Sequence, residues 1–494
     1  KYAEDYYRFL SRTVDVVGTK EREKFEVVRK ENGNTQITVY AISDKKGKIK
    51  EQIYKREFKY DETKEIRLYG LNGNDLFHVD GRADKGIKVR IIAGKGNDTI
   101  IDESKVSGFG KKTIIYDRKD KDNFISTSNE TRLKLSRNSS VNEYNRKQFK
   151  HNKIMPIIWT GYNIDDGIFL GGGATFKRFN FRDSTIHNIK GNLSFQTGAF
   201  AVRYEGLVSA VSQTFDLLLN AELCFPQNEN NFYGLGNNTE KISDDKKYYR
   251  VRYHYAFLNP MLKQTVSNNF NYSFGAFYQY FKVTDTANRF IGDIYPQLLD
   301  SSSYLPHNYV GVNIMFGLDT RNNQILPNRG FFWETEALGF HSISEGGRNF
   351  IKLRSDLSFY LSFRKDPRVV FAFRFGGAVN IGDYEFYHAN TLGGKSNLRG
   401  FRSNRFAGDH SFYQNTEIRI KLLNIKSYIL NGQTGILLFN DIGRVWVVGE
   451  DSRRWHDGYG IGVWLSPFDY TALTLTYNMS KEDNMFDFTF KFMF

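Results

Sequence analysis

Cysteine is nearly absent: Cys224 stands alone in 494 residues. No intrachain disulfide can form, so any fold must rest on packing and backbone hydrogen bonding. A lone cysteine of this kind reads as a small apolar residue, buried or facing lipid. Proline is scarce, at 8 residues. No run of 18 or more apolar residues occurs, and mean hydropathy is −0.51. A membrane protein built from helices is thereby excluded. One built from strands is not, because a barrel strand needs only about 9–11 residues with one apolar face and averages out as polar. Also missing are a Gly-x-Ser-x-Gly elbow and a His-Glu-x-x-His pair, and the 9 histidines are scattered. No catalytic residue is expected in this chain. The chain opens on Lys1 without a charged-then-apolar signal segment, which favours a piece of a longer chain over a processed one.

What is present is aromatic residues, at 16%, and glycine, at 43 residues. Net charge is +14 and uneven. Residues 1–150 hold 34 Lys and Arg against 24 Asp and Glu, and the remainder holds 35 against 31. A basic module beside a near-neutral one suits contact with anionic headgroups. No clustered basic helix or stacking motif supports nucleic acid as a partner, and solvated strand faces account for the charge.

The chain divides near residue 150. Residues 1–150 are expected to form a β-rich, solenoid-like domain, opened by a short helix over Tyr2–Arg12 with Tyr6, Tyr7, Phe9 and Leu10 on its apolar side. A weak repeat supports the solenoid. Its copies are Tyr69-Gly70-Leu71-Asn72-Gly73-Asn74-Asp75-Leu76-Phe77, Ala93-Gly94-Lys95-Gly96-Asn97-Asp98-Thr99-Ile100 and an eroded Tyr116–Phe124. A degenerate first copy runs from Val17-Gly18-Thr19 to Phe25. Strand–turn–strand units at fixed period stack so that each covers its neighbour's apolar edge. The Gly-Asn-Asp turns resemble the calcium repeats of RTX proteins, which would make Asp75 and Asp98 ligands of Ca²⁺; a purely structural turn is the competing reading, and Lys95 inside the second copy favours it. Residues 125–152 are polar and read as a linker.

From Pro156 onward the period is two. Phe486, Phe488, Phe490, Phe492 and Phe494 share one face of the last segment, with Asp487, Thr489, Lys491 and Met493 on the other. No helix is available to cover five phenylalanines, and lipid is the simpler partner; a large soluble β-sandwich is the alternative. The same alternation recurs through Ile351–Phe363, Glu417–Leu422 and Phe215–Leu223. Sixteen such segments can be counted, from 155–163 to 485–494. The expected fold is all-β, a 16-stranded antiparallel transmembrane barrel over residues 151–494. Short turns such as Arg364–Arg368 alternate with long loops such as 226–246, 284–306 and 382–410, the asymmetry of an outer-membrane barrel with both termini in the periplasm.

Several motifs then fall in one order. Loop 382–410 contains Leu392-Gly393-Gly394-Lys395-Ser396-Asn397-Leu398-Arg399-Gly400-Phe401, similar to the Val-Arg-Gly-Phe/Tyr signature of the BamA/TamA-like surface-antigen superfamily, with Leu398 in place of Val. Phe439-Asn440-Asp441-Ile442-Gly443-Arg444-Val445-Trp446 resembles that family's Phe-x-Asp-x-Gly-x-Val-Trp strand. Asn231–Asn237, Asp319-Thr320-Arg321 with Pro327–Gly330, Asn415-Thr416-Glu417 and the aromatic C-terminal strand also fit, so the resemblance spans 156–494. It implies that Arg399, with Gly400 and Phe401, sits on a loop folded into the lumen and pairs with Glu417 and Asp441. Asp441 shares strand parity with Leu437 and Phe439, so a bulge near Gly443 is expected to turn it inward. The resemblance also implies Phe490, Phe492 and Phe494 as the C-terminal signal beside the barrel seam.

Members of that family carry POTRA domains before the barrel, and residues 1–150 lack their β-α-α-β pattern. The Gly-Asn-Asp-rich module instead resembles the segment that, in one branch, joins a calcineurin-like metallophosphoesterase to the barrel. No Asp-x-His or Gly-Asn-His-Asp/Glu metal motif is present here. Three functions are therefore expected to compete: protein or lipid insertion and translocation at the outer membrane, with lipids and other periplasmic or outer-membrane proteins as partners; anchorage of an upstream phosphoesterase; and passive diffusion.

Overall fold

The computed structural model describes residues 2–494 except 44–47, 109, 137–140, 148–149, 164, 166, 182, 210, 213, 268, 294–300 and 429–430. Two compact units result, Lys1–His151 and Asn152–Phe494.

The first unit opens with helix α1, Tyr2–Ser11, and continues as stacked coils. One sheet runs in the order Thr13–Val17, Glu65–Tyr69, Lys88–Ile92, Thr113–Arg118, Thr131–Ser136, with every pair parallel. The second sheet stacks Glu23–Arg29, Leu76–Ala83, Thr99–Asp102 and Phe124–Ser126 in parallel and adds two antiparallel strands, Thr35–Ile42 and Ile49–Phe58. Successive coils bring like residues into register. Phe25 pairs with Phe77, Phe77 with Ile100, and Ile100 with Ile125. The Phe25 and Phe77 rings stack at 4.6 Å. The third copy is offset from its sequence alignment: Phe124 is exposed, and Ile125 takes the inward place. The expected linker is partly regular, since Thr131–Ser136 is a full strand of the first sheet.

The second unit is one antiparallel sheet of sixteen strands in sequence order. They are β1 Lys153–Asn163, β2 Gly167–Phe179, β3 Ser184–Ser194, β4 Phe200–Val208, β5 Asp216–Asn231, β6 Arg250–Thr265, β7 Phe270–Thr284, β8 His307–Asp319, β9 Gly330–Ser342, β10 Phe350–Leu361, β11 Val369–Gly382, β12 His410–Lys426, β13 Asn431–Trp446, β14 His456–Pro467, β15 Leu473–Met479 and β16 Asn484–Thr489. Outward positions are apolar and uncovered, as at Ile158, Val312, Ile351 and Val463. Inward positions are polar and buried, as at Asn313, Glu336, Arg419 and Asn478. A charge on the outward face would cost roughly 2–4 kcal/mol at mid-depth in a bilayer, which explains the segregation. Cys224 is buried in an aromatic cluster with Tyr253 and Phe281.

The ends of the sheet depart from simple alternation. The ladder of β16 stops at Thr489 rather than running to Phe494. Phe486 and Phe490 are exposed, but Phe492 is buried against Leu437, Trp464 and Ala472. The Arg419 guanidinium lies 4.0 Å over the Phe492 ring, and its Nη2 donates to the Phe494 carbonyl at 2.9 Å. Once the ladder ends, nothing keeps every second side chain outward, and the apolar pocket beside an inward arginine is the better partner. Phe492 therefore does not face lipid. Among the described residues no backbone ladder joins β16 to β1.

Candidate functional site

The segment between β11 and β12 folds back between the barrel walls. It forms a small hairpin, Asn390–Leu392 with Phe406–Gly408, and packs Leu392, Leu398, Phe401 and Phe406 against inward-facing Tyr413 and Val445. Inside the hairpin, Asn397 closes the loop on itself: its Oδ1 accepts the Gly393 N–H at 2.9 Å, and its Nδ2 donates to the Thr391 carbonyl at 2.9 Å. Two walls hold the tip. Asn415 Nδ2 of β12 donates to the Asn397 carbonyl at 2.8 Å, and Arg374 Nη1 of β11 donates to the Ser396 carbonyl at 2.7 Å.

Arg399 sits at the centre. Its Nε donates to Asp441 Oδ2 at 2.7 Å and its Nη2 to Asp441 Oδ1 at 2.8 Å, a two-pronged pair. The Arg399 backbone N–H donates to the same carboxylate at 3.0 Å. Nη1 donates to Glu417 Oε1 at 2.7 Å, and the guanidinium lies 3.6 Å from the Phe439 ring centre. Glu417 receives Arg419 on its other oxygen at 2.8 Å, and Arg419 in turn holds the Phe494 carbonyl. The chain of contacts thus runs from loop to wall to C-terminus with two cations and two anions. All four side chains are buried, where planar two-pronged bonding is strongest. Gly400 has φ of +88°, and a Cβ there would lie 2.6 Å from the Met479 carbonyl, so only glycine lets the loop lie this close to β15.

Asp441 reaches the lumen without a bulge. The register of β12 against β13 is unbroken from His410 to Lys421, pairing Asn415 with Asp441 and Tyr413 with Gly443. Leu437, Phe439 and Asp441 are all inward and buried, while Leu438 is exposed. The parity conflict came from taking Leu437 and Phe439 as lipid-facing, whereas they floor the site and the C-terminal pocket.

Sequence reading missed Arg405, the largest fully buried side chain among the described residues. It donates to Glu482 at 2.6 and 3.0 Å and to Thr239, between the rings of Tyr233 and Phe406. The available signal was spacing: Arg399, Arg402 and Arg405 recur every third residue.

In the first unit, Asp75 Oδ1 accepts the Glu23 N–H at 2.8 Å, Asp98 Oδ1 accepts the Asp75 N–H at 2.9 Å, and Asn123 Oδ1 accepts the Asp98 N–H at 2.8 Å. Each side chain caps the neighbouring coil, the role of a structural turn. Burial pushes Asp75 up to about 8 and Asp98 up to about 7. Among the described residues no three His, Cys, Asp or Glu side chains are grouped to hold a metal.

The Omp85 superfamily domain matches residues 169–494. This chain belongs to the Omp85 superfamily. A solved structure shows the same fold. BamA from Haemophilus ducreyi lacking POTRA domains 1–3 aligns with a TM-score of 0.52 at 15% identity, covering 69% of each chain. CdiB from Acinetobacter baumannii aligns at 0.44 and 13% identity, covering 68% of this chain and 59% of that one. CdiB from Escherichia coli aligns at 0.44 and 13%, covering 68% and 60%. No curated protein matches the sequence. As an Omp85 member the chain is an outer-membrane β-barrel of the insertion and transport class, with its N-terminal domain in the periplasm.

Proposed function

We propose that this Omp85 barrel inserts or translocates proteins at the outer membrane through the boundary between β1 and β16, with loop 382–410 held in the lumen as a plug. The observation that supports this reading is the combination, among the described residues, of an edge without a ladder and a buried, arginine-pinned loop against the inner wall. An unpaired strand edge is a template for an incoming strand, which two-sided closure elsewhere in the sheet denies. The plug speaks against passive diffusion as the main activity. Lipids surround the barrel, and periplasmic or other outer-membrane proteins are its proposed clients and partners.

The test is a disulfide engineered between β1 and β16. Oxidised protein in proteoliposomes should fail to speed the folding of an added outer-membrane barrel protein, and reduction should restore it. Equal rates in the oxidised and reduced states would defeat the reading.

A further inference from the structure

Asp165, in the turn after β1, and Ser480–Asp483, before β16, flank the β1–β16 boundary at the same end of the barrel. Loop 382–410 touches both. Arg402, with its side chain almost wholly buried, has Nη1 3.3 Å from Asp165 Oδ1 in the first turn and Nε 3.7 Å from Asp483 Oδ2 in the second. The Ser403 N–H donates to the other Asp165 oxygen at 3.1 Å. Asn231 Nδ2 reaches both Asp165 Oδ1, at 3.0 Å, and the Ser403 carbonyl, at 3.1 Å. On the far side, Ser480 Oγ donates to the Gly400 carbonyl at 2.6 Å, Arg405 pairs with Glu482, and Lys241 pairs with Asp483 at 2.5 Å.

We propose that Arg402 is the clasp of the seam: carried on the lumen loop, it holds Asp165 against Asp483 across the β1–β16 boundary, so that this end opens only when the loop lets go. The clasp rests on the reading of that boundary as the gate. Its physical basis is that, among the described residues, no ladder joins β1 to β16 although the two strands lie side by side, so side-chain contacts hold the edge. Two carboxylates share one guanidinium, and withdrawing it takes the summed charge of Arg402, Lys241, Asp165 and Asp483 from zero to minus one in a partly buried site, which favours separation of the turns. Loop position and seam closure thus become one equilibrium, with the cation at the junction.

The experiment measures distances by pulsed spin-label spectroscopy in nanodiscs, in a Cys224→Ala background. One label pair sits at exposed Tyr162 and Lys481, beside the clasp, and a control pair at Lys153 and Lys491, at the opposite end. Arg402→Gln should raise a longer Tyr162–Lys481 population about threefold or more, within the range of coupling between contacting charges. The control pair should not move. Adding Asp165→Asn and Asp483→Asn to R402Q should lower that population again, because the repulsion is gone; a residue that merely anchors the loop gives no such rescue. Folding of each variant is read by its heat-modifiable mobility on gels, and Arg402→Met, which keeps much of the side-chain volume without the charge, serves should R402Q fold poorly. An unchanged Tyr162–Lys481 distribution in folded R402Q or R402M overturns the clasp. That result leaves the gate itself standing if the β1–β16 disulfide still blocks activity. Full activity in the disulfide-locked protein removes the gate, whatever the distances show.

Discussion

Arg399 is surrounded by its partners so completely that each substitution has a distinct physical meaning. Arg399→Ala strands the Asp441 carboxylate and leaves Glu417 with Arg419 alone. Breaking a buried pair by removing one member costs about 3–5 kcal/mol. The expected result is a lower temperature for the heat-modifiability transition of the folded barrel. Arg399→Lys keeps the charge but loses the fork, so it should fall between wild type and alanine. A transition temperature unchanged by R399A would show that the network contributes nothing to folding. The aspartate ladder of the first unit gives the opposite kind of prediction. Asp75, Asp98 and Asp117 are raised by burial to about 8, 7 and 6. The folded domain therefore binds more protons than the unfolded one. Their contribution is fully favourable below an unfolded carboxyl value of about 4 and is lost as pH rises through 6 to 8. Hydrogen exchange in peptides covering 65–102, corrected for its intrinsic pH dependence, should be slower at pH 5.5 than at pH 8.5. Asp75→Asn keeps an acceptor for the Glu23 N–H and removes the charge, so it should flatten that difference; equal protection at both pH values in the wild type would contradict the ladder.

At the scale of elements, the C-terminal segment is where packing outweighs pattern. Phe492 fills a pocket of Leu437, Trp464 and Ala472 beneath Arg419. Phe492→Ala should cost about 3–5 kcal/mol. Phe490→Ala, at a half-exposed outward position, should cost clearly less. Urea-induced unfolding of the barrel in lipid vesicles separates the two, and equal losses would return Phe492 to the lipid face. The pair also marks what was legible beforehand. Strand number and order, and the shared face of Glu417 and Arg419, follow from two-residue periodicity, whereas Asp441 comes inward only through the motif resemblance. Periodicity holds only while a ladder enforces it, so it could not place Phe492 after Thr489. Nor does it separate an apolar residue facing lipid from one facing another apolar group inside, which is why it misplaces Leu437 and Phe439 and calls for a bulge near Gly443, where the register of β12 and β13 is continuous. In the coils the period located the stack, but an irregular insertion before Phe124 shifted the last copy by one residue. The contacts of Arg402 with Asp165 and of Arg405 with Thr239 join residues 237 and 166 positions apart, so only the folded chain brings them together.

For the whole molecule, the question is whether the lumen is a conduit or a filled space. A sixteen-stranded cylinder is wide enough to hold a water column once emptied. Here a loop packs against the inner wall, held through Arg399 at one strand pair, Arg374 at another and Arg405 at the far turns. These ties are independent in space, so losing one should not empty the pore, whereas losing the segment that carries most of them should. In planar bilayers the intact protein is expected to show small, infrequent openings, and Arg399→Ala to raise their frequency without changing the step size. Excision of residues 393–405 should give long-lived openings of large conductance. A passive pore predicts large steps from the intact protein that neither change alters. If the excised protein conducts but no longer accelerates client folding, the loop serves the gate as well as the lumen, which is the coupling that a cation shared between loop and seam requires.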